Sequence, residues 1–106
     1  HNPKCSKSRQ TLALIKEKGI EPDIVEYLVN PPSVAELKDV LAKLALEPRD
    51  IVRRKEAREE GIANDLDGAA LIEAICKHPR ALQRPIVVKD GKAAVGRPPE
   101  NVLNIL

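Results

Sequence analysis

One of the two cysteines in the chain, Cys5, stands where the first helically periodic stretch begins, among His1, Lys4, Lys7, Arg9 and Ser8, with no carboxylate before Glu17. A helix N-terminus offers unpaired N–H groups and partial positive charge, and cationic neighbours add to it. The thiolate is then favoured below the free-thiol pKa of about 8.5. Ser8, three positions on, can turn its hydroxyl toward the sulfur, and the same N–H groups can hold a tetrahedral oxyanion beside the nucleophile. The chemistry implied is attack by sulfur on an anionic substrate. The plain alternative is an incidental or buried cysteine in a basic turn. Spacing weighs against two neighbouring chemistries, because Cys5 to Ser8 gives C-x-x-S without the second thiol of a dithiol oxidoreductase, and Cys5 to Arg9 is too short for a C-x5-R phosphatase loop. Cys76 shares a helical face with Ala69 and Ile72 and reads as a buried structural thiol, and His78, before Pro79, as a helix-end cap. Metal binding by His1, Cys5, Cys76 and His78 lacks any close paired spacing, so no metal site is expected.

The elements that must position Cys5 follow from periodicity and punctuation. Leu12 and Ile15, flanked by Thr11 and Leu14, predict an amphipathic helix from about Ser6 to Lys18, ended by Gly19. Ile24, Val25, Tyr27 and Leu28, between Pro22 and Asn30-Pro31-Pro32, predict a buried strand. Ser33 and Glu36 form a capping pattern for a helix carrying Val34, Leu37, Val40, Leu41 and Leu44. The charged stretch from Pro48 to Asn64 suits short helical turns, and Asp67-Gly68 opens a helix through Leu71, Ile72, Ile75 and Cys76. Ile86 to Val88, Asp90-Gly91 and Lys92 to Val95 predict a hairpin with a type I′ turn. Pro98-Pro99-Glu100 begins a last helix through Val102, Leu103 and Leu106.

Position 1 is His, and H-N-P-K-C reads as a turn, so a short strand of about 5 residues is expected upstream. With it the order becomes βαβ…ββα, a single thioredoxin-like α/β domain over residues 1–106. Its mixed sheet has four strands, the first of them missing from this chain, and a helical insertion occupies about 33–78.

Composition removes other classes of function. The chain has 106 residues, 42% hydrophobic and 32% charged, which fits one globular domain. No apolar run approaches the roughly 18 residues of a membrane span, and no signal segment opens the chain, which points to the cytoplasm and away from membranes. Two cysteines 71 positions apart make no disulfide framework. Tyr27 is the only aromatic residue and the net charge is +2, so no platform for stacked bases exists and nucleic acid is not an expected partner.

The opening H-N-P-K-C-S-K-S-R resembles the active-site loop of the glutaredoxin-coupled arsenate reductases, a thioredoxin-fold family. The likeness continues through Y-L-V-N-P-P-S, R-P-I-V-V and G-R-P-P-E over essentially the whole chain. The resemblance implies that Cys5 attacks arsenate and that three arginines hold the oxyanion. Two fall on Arg84 and Arg97. The third belongs after an apolar pair and falls on Arg53 of Ile51-Val52-Arg53, with Arg54 directly behind it as the other candidate. His1 matches a histidine that helps the cysteine ionise, Ser8 lies in the loop, and Pro85 matches a cis proline facing the cysteine. Glutathione is implied as co-substrate and glutaredoxin as partner, with no bound cofactor and a monomeric chain. Two other readings carry different consequences. One is a thioredoxin-fold regulatory module that binds a protein such as RNA polymerase, against which the missing C-x-x-C counts. The other is an orphan thiol reductase with the same machinery.

Overall fold

The computed structural model describes all residues from His1 to Leu106. Helix α1 spans Ser6–Glu17 and is entered through Cys5, whose backbone is extended (φ −92°, ψ 125°). The Cys5 carbonyl already accepts from Arg9 N–H at 3.1 Å, and Cys5 N–H donates to Asn2 O at 3.0 Å just before it. Helix α2, Val34–Leu44, starts in a reciprocal capping box: Glu36 N–H donates to Ser33 Oγ and Ser33 N–H to Glu36 Oε1, each at 3.1 Å. A 3-10 turn at Pro48–Ile51 leads to α3, Arg54–Glu59, and then to α4, Gly68–Lys77, where Asp67 Oδ1 accepts from Gly68 N–H at 2.8 Å. After a second 3-10 turn, Pro79–Ala81, strands β1 (Ile86–Lys89) and β2 (Lys92–Val95) pair antiparallel, with Ile86 opposite Val95. Asp90 and Gly91 both have positive φ, as a type I′ turn requires.

The core sits mainly among the helices of the insertion. Leu37 and Leu41 of α2, Ile51, Ala57 of α3, Leu71, Ile72 and Ile75 of α4, and Leu82 bury one another together with the ring of Tyr27. On the other side α1 turns Ser8, Thr11 and Ile15 inward and packs on the C-terminal 3-10 segment, Pro99–Asn104, through which Val102 is fully buried. No helix is long and apolar enough to cross a membrane.

Three expectations are corrected. The fold is mixed α/β, but of the three strands expected within this chain only the hairpin pair, β1 and β2, forms a sheet. The stretch Ile24–Leu28 is not a strand: Ile24 is 49% and Val25 59% exposed, and residues 27–30 form a turn closed by Val29 and Asn30 N–H on Glu26 O. Strands exist only as paired ladders, and this stretch has one lateral bond, from the His1 nitrogen to Val25 O at 3.0 Å. An open, largely apolar groove of about 350 Å³, lined by Ile24 and Val25 on one side and Ile86 to Lys89 on the other, separates it from β1. Finally, the last element winds as a six-residue 3-10 helix, its N–H groups reaching back three residues, rather than as an α-helix to Leu106.

Candidate active site

Two short antiparallel pairings gather side chains that lie far apart in sequence. Residues 51–53 cross residues 81–83 in an isolated bridge, with Arg53 N–H on Ala81 O and Gln83 N–H on Ile51 O, both at 2.7 Å. This seats Arg53 against Gln83, whose Oε1 accepts from Arg53 Nη1 at 3.1 Å and from Arg84 N–H at 3.3 Å. The β hairpin then folds Arg97 back over Arg84. Gly96 N–H donates to Pro85 O at 2.9 Å, and Arg97 Nε donates to Arg84 O at 2.8 Å. Arg84 Nη1 is anchored on Arg80 O at 3.4 Å.

The helix that carries Cys5 reaches this corner through a glycine. A Cβ at Gly96 would lie 2.5 Å from Thr11 Oγ1 and 2.7 Å from Pro85 Cγ, so α1 can press on the hairpin only because position 96 has no side chain. Pro85 is buried and the Arg84–Pro85 bond is cis. The contact places Arg97 Nη2 3.6 Å from Cys5 Sγ.

Partial burial works against ionisation of Cys5. It is outweighed by Ser8 N–H, the Arg84 guanidinium, Lys7 N–H and the Ser8 hydroxyl, which together bring the thiol down to about 7. Ser8 is fully buried, and its Oγ also accepts from Asn2 N–H at 3.3 Å, so the loop closes over its own first turn. Cys76 is free, like Cys5, and half-buried rather than buried; desolvation first, then Glu36 and Glu73, push its thiol up. The hydrogen bond from His1 is made by its backbone nitrogen, and the residue lines the apolar groove.

Arg53 and Arg54 separate cleanly. Arg54 is exposed and lines a small cleft with Arg49 and Asn64, away from Cys5. Arg53 turns inward to Gln83, with its Nε 3.3 Å from Glu56 Oε2, close enough for an ion pair but out of line for a hydrogen bond. Four buried side-chain polar atoms lack a hydrogen-bond partner, among them Arg53 Nε, Arg84 Nε and the Tyr27 hydroxyl. All three can donate, and of them only Arg53 Nε has an acceptor nearby, the out-of-line Glu56 carboxylate. No group of three or more His, Cys, Asp or Glu side chains is arranged to hold a metal ion.

The family model described as "ArsC family" matches residues 1–105. This chain belongs to the ArsC family. Relatives of this ArsC member include a protein named arsenate reductase from Neisseria meningitidis serogroup A, 50% identical over all of this chain and 94% of that one. Another of that name, from Haemophilus influenzae, is 46% identical over 100% of this chain and 95% of the other. The solved structure of an arsenate reductase from Vibrio cholerae superposes with a TM-score of 0.93 at 48% identity, covering 100% of this chain and 93% of that one.

In this ArsC chain the structure adds three residues that the sequence reading missed. Gln83 and Glu56 hold Arg53, and Tyr27 brings its hydroxyl to within the electrostatic reach of Arg84, Cys5 and Arg53. Glu56 alone left a local signal, an Arg and a Glu three apart at a helix start.

Proposed function

We propose that the chain is an arsenate reductase that depends on glutathione and glutaredoxin. The observation that carries this reading is the Cys5 thiol, lowered to about 7, with Arg97 Nη2 3.6 Å from its sulfur. At neutral pH roughly half of such a thiol is nucleophilic. Arg53, Arg84 and Arg97 hold the tetrahedral anion, a task for which the planar guanidinium fork suits better than an ammonium point charge. Ser8 and the first N–H groups of α1 keep the sulfur ionised, and His1 at the loop's start assists.

The Cys5 thiolate forms a sulfur–arsenic bond and one arsenate oxygen leaves as water after protonation. The thiol of glutathione then attacks the Cys5 sulfur, forming a disulfide while the electron pair of the sulfur–arsenic bond passes to arsenic, which leaves as trivalent arsenite. Glutaredoxin, with a second glutathione, returns Cys5 to the thiol. The enzyme needs no bound cofactor, and the cycle suits a monomer in a reducing compartment such as the cytoplasm. The test is arsenate-dependent NADPH oxidation in a coupled assay with glutathione, glutaredoxin and glutathione reductase. Turnover that is lost in Cys5→Ser, and lost when glutaredoxin is left out, is expected. Absence of arsenate-dependent oxidation with the complete mixture overturns the reading.

A further inference from the structure

Tyr27 is the only aromatic residue of the chain, and its ring, 5% exposed, is locked in the core beside the helices of the insertion. Its apolar body would be equally well served by phenylalanine. The hydroxyl is what needs explaining, because it is buried without a hydrogen-bond partner. The side chain of Asn2 lies beside it, but the Asn2 Oδ1 atom is engaged with Lys4 N–H at 3.0 Å. Asn2 belongs to the Cys5 loop, its carbonyl accepting from Cys5 N–H at 3.0 Å and its N–H donating to Ser8 Oγ at 3.3 Å, so the hydroxyl borders that loop, and Arg84, Cys5 and Arg53 act on it electrostatically. Arg84 Nε is buried without a hydrogen-bond partner as well, and Arg53 Nε has only the out-of-line Glu56 carboxylate at 3.3 Å. Buried donors are seldom left unpaired, so the phenol proton lacks an acceptor that a bound anion could supply.

We propose that the Tyr27 hydroxyl donates a hydrogen bond to the tetrahedral oxyanion held by Arg53, Arg84 and Arg97, as a fourth and uncharged contact. This rests on the function proposed above for the identity of the anion. A doubly charged oxyanion and the Cys5 thiolate together balance the three guanidinium groups, so a further donor stabilises the anion best if it adds no charge. Desolvation, the largest influence on Tyr27, raises its pKa and keeps the phenol protonated wherever Cys5 is reactive.

The test uses Tyr27→Phe, which keeps the ring in place, and phosphate as a non-reducible anion alongside arsenate. In a Cys5→Ser background, where no adduct can form, calorimetry should show Tyr27→Phe binding both anions about tenfold more weakly, the loss expected for a hydrogen bond to a charged acceptor. Thermal stability should hold or rise, since the variant removes an unpaired polar atom from the interior. In enzyme that retains Cys5, the KM for arsenate should rise and the alkylation midpoint of Cys5 should stay put. Because Tyr27 is the sole aromatic residue, adding phosphate to the unmodified chain should also perturb the near-ultraviolet tyrosine band directly. Unchanged anion affinity in the variant overturns the proposal. So does a tyrosine band that stays still at saturating phosphate, or a Cys5 midpoint that rises while anion affinity does not change, which would assign the hydroxyl to the thiolate. Phosphate binding and the tyrosine band are read without turnover, so a chain that fails to reduce arsenate leaves this test intact while sinking the assigned reaction.

Discussion

Replacing Arg84 with alanine should move the titration of Cys5 upward, and the size of the shift can be worked from the loop. Among the groups that lower this thiol, the Arg84 guanidinium is the largest side-chain contribution, second only to the Ser8 backbone N–H. Removing it while leaving Ser8 and Lys7 in place should raise the midpoint from about 7 by about one unit, so that at pH 7 the thiolate fraction falls from about one half to about one tenth. The rate at a single pH understates this, because a more basic thiolate is intrinsically more nucleophilic by about threefold per unit. Iodoacetamide alkylation followed from pH 5 to 10, in a Cys76→Ala background, therefore reads the midpoint rather than a rate. The same shift appears in folding. Since the folded pKa lies below the unfolded one, the thiolate contributes no stability below about pH 7, a growing share up to about 9, and its full share above that. Arg84→Ala should flatten that rise in unfolding midpoint with pH. An alkylation midpoint equal in Arg84→Ala and its parent, or a parent midpoint at 8.5 or higher, refutes the electrostatic account.

Other perturbations test separate parts of the site. Gly96→Ala places a Cβ 2.5 Å from Thr11 Oγ1 and 2.7 Å from Pro85 Cγ, and should cost about 1–3 kcal/mol in denaturant unfolding while also slowing Cys5 alkylation at neutral pH. Arg53→Ala should raise the KM for arsenate at least tenfold by removing a charge-assisted contact of about 1.5–3 kcal/mol, whereas Arg54→Ala, on an exposed side chain, should leave it within about twofold. Full activity in both would sink the three-arginine clamp. Cys76→Ala should retain near-normal turnover and strict dependence on glutathione and glutaredoxin, because burial holds that thiol protonated; a Cys5–Cys76 disulfide trapped during turnover would show the opposite.

Much of this molecule can be read along the chain wherever the determining contacts are local. The capping box at Ser33 and Glu36, the Asp67 cap and the Asp90-Gly91 turn each depend on residues within four positions, and each forms as expected. Ile24 to Leu28 shows the limit: β-branched residues state a preference for extension, but a ladder depends on a neighbour that the stretch itself does not encode. Which of Arg53 and Arg54 turns inward is hidden from the sequence for the same reason, since Arg53 is held by Gln83, thirty positions away, across a two-bond bridge. Tyr27 reads as core because it is an aromatic among aliphatic residues, which its ring is; only the buried, unpartnered hydroxyl sets it apart. Cys5, Arg84 and Arg97 were legible through resemblance, and their geometry required the hairpin and Gly96.

The dipeptide Gln83-Arg84 ties the arms of the clamp together: Gln83 Oε1 holds Arg53 Nη1 and Arg84 N–H, while Arg84 O holds Arg97 Nε. Long cationic side chains each lose up to about 2 kcal/mol of rotamer freedom when fixed, and here folding, not ligand capture, has already absorbed much of that loss. A cradle stiffened in advance grips tightly but judges coarsely. Oxyanions that share tetrahedral shape and charge meet the same guanidinium faces, so phosphate and sulfate should compete for the cradle at comparable affinity. In the proposed reaction, discrimination then passes from recognition to reactivity: the cradle would admit many anions, and only one whose central atom accepts the sulfur of Cys5 would go further.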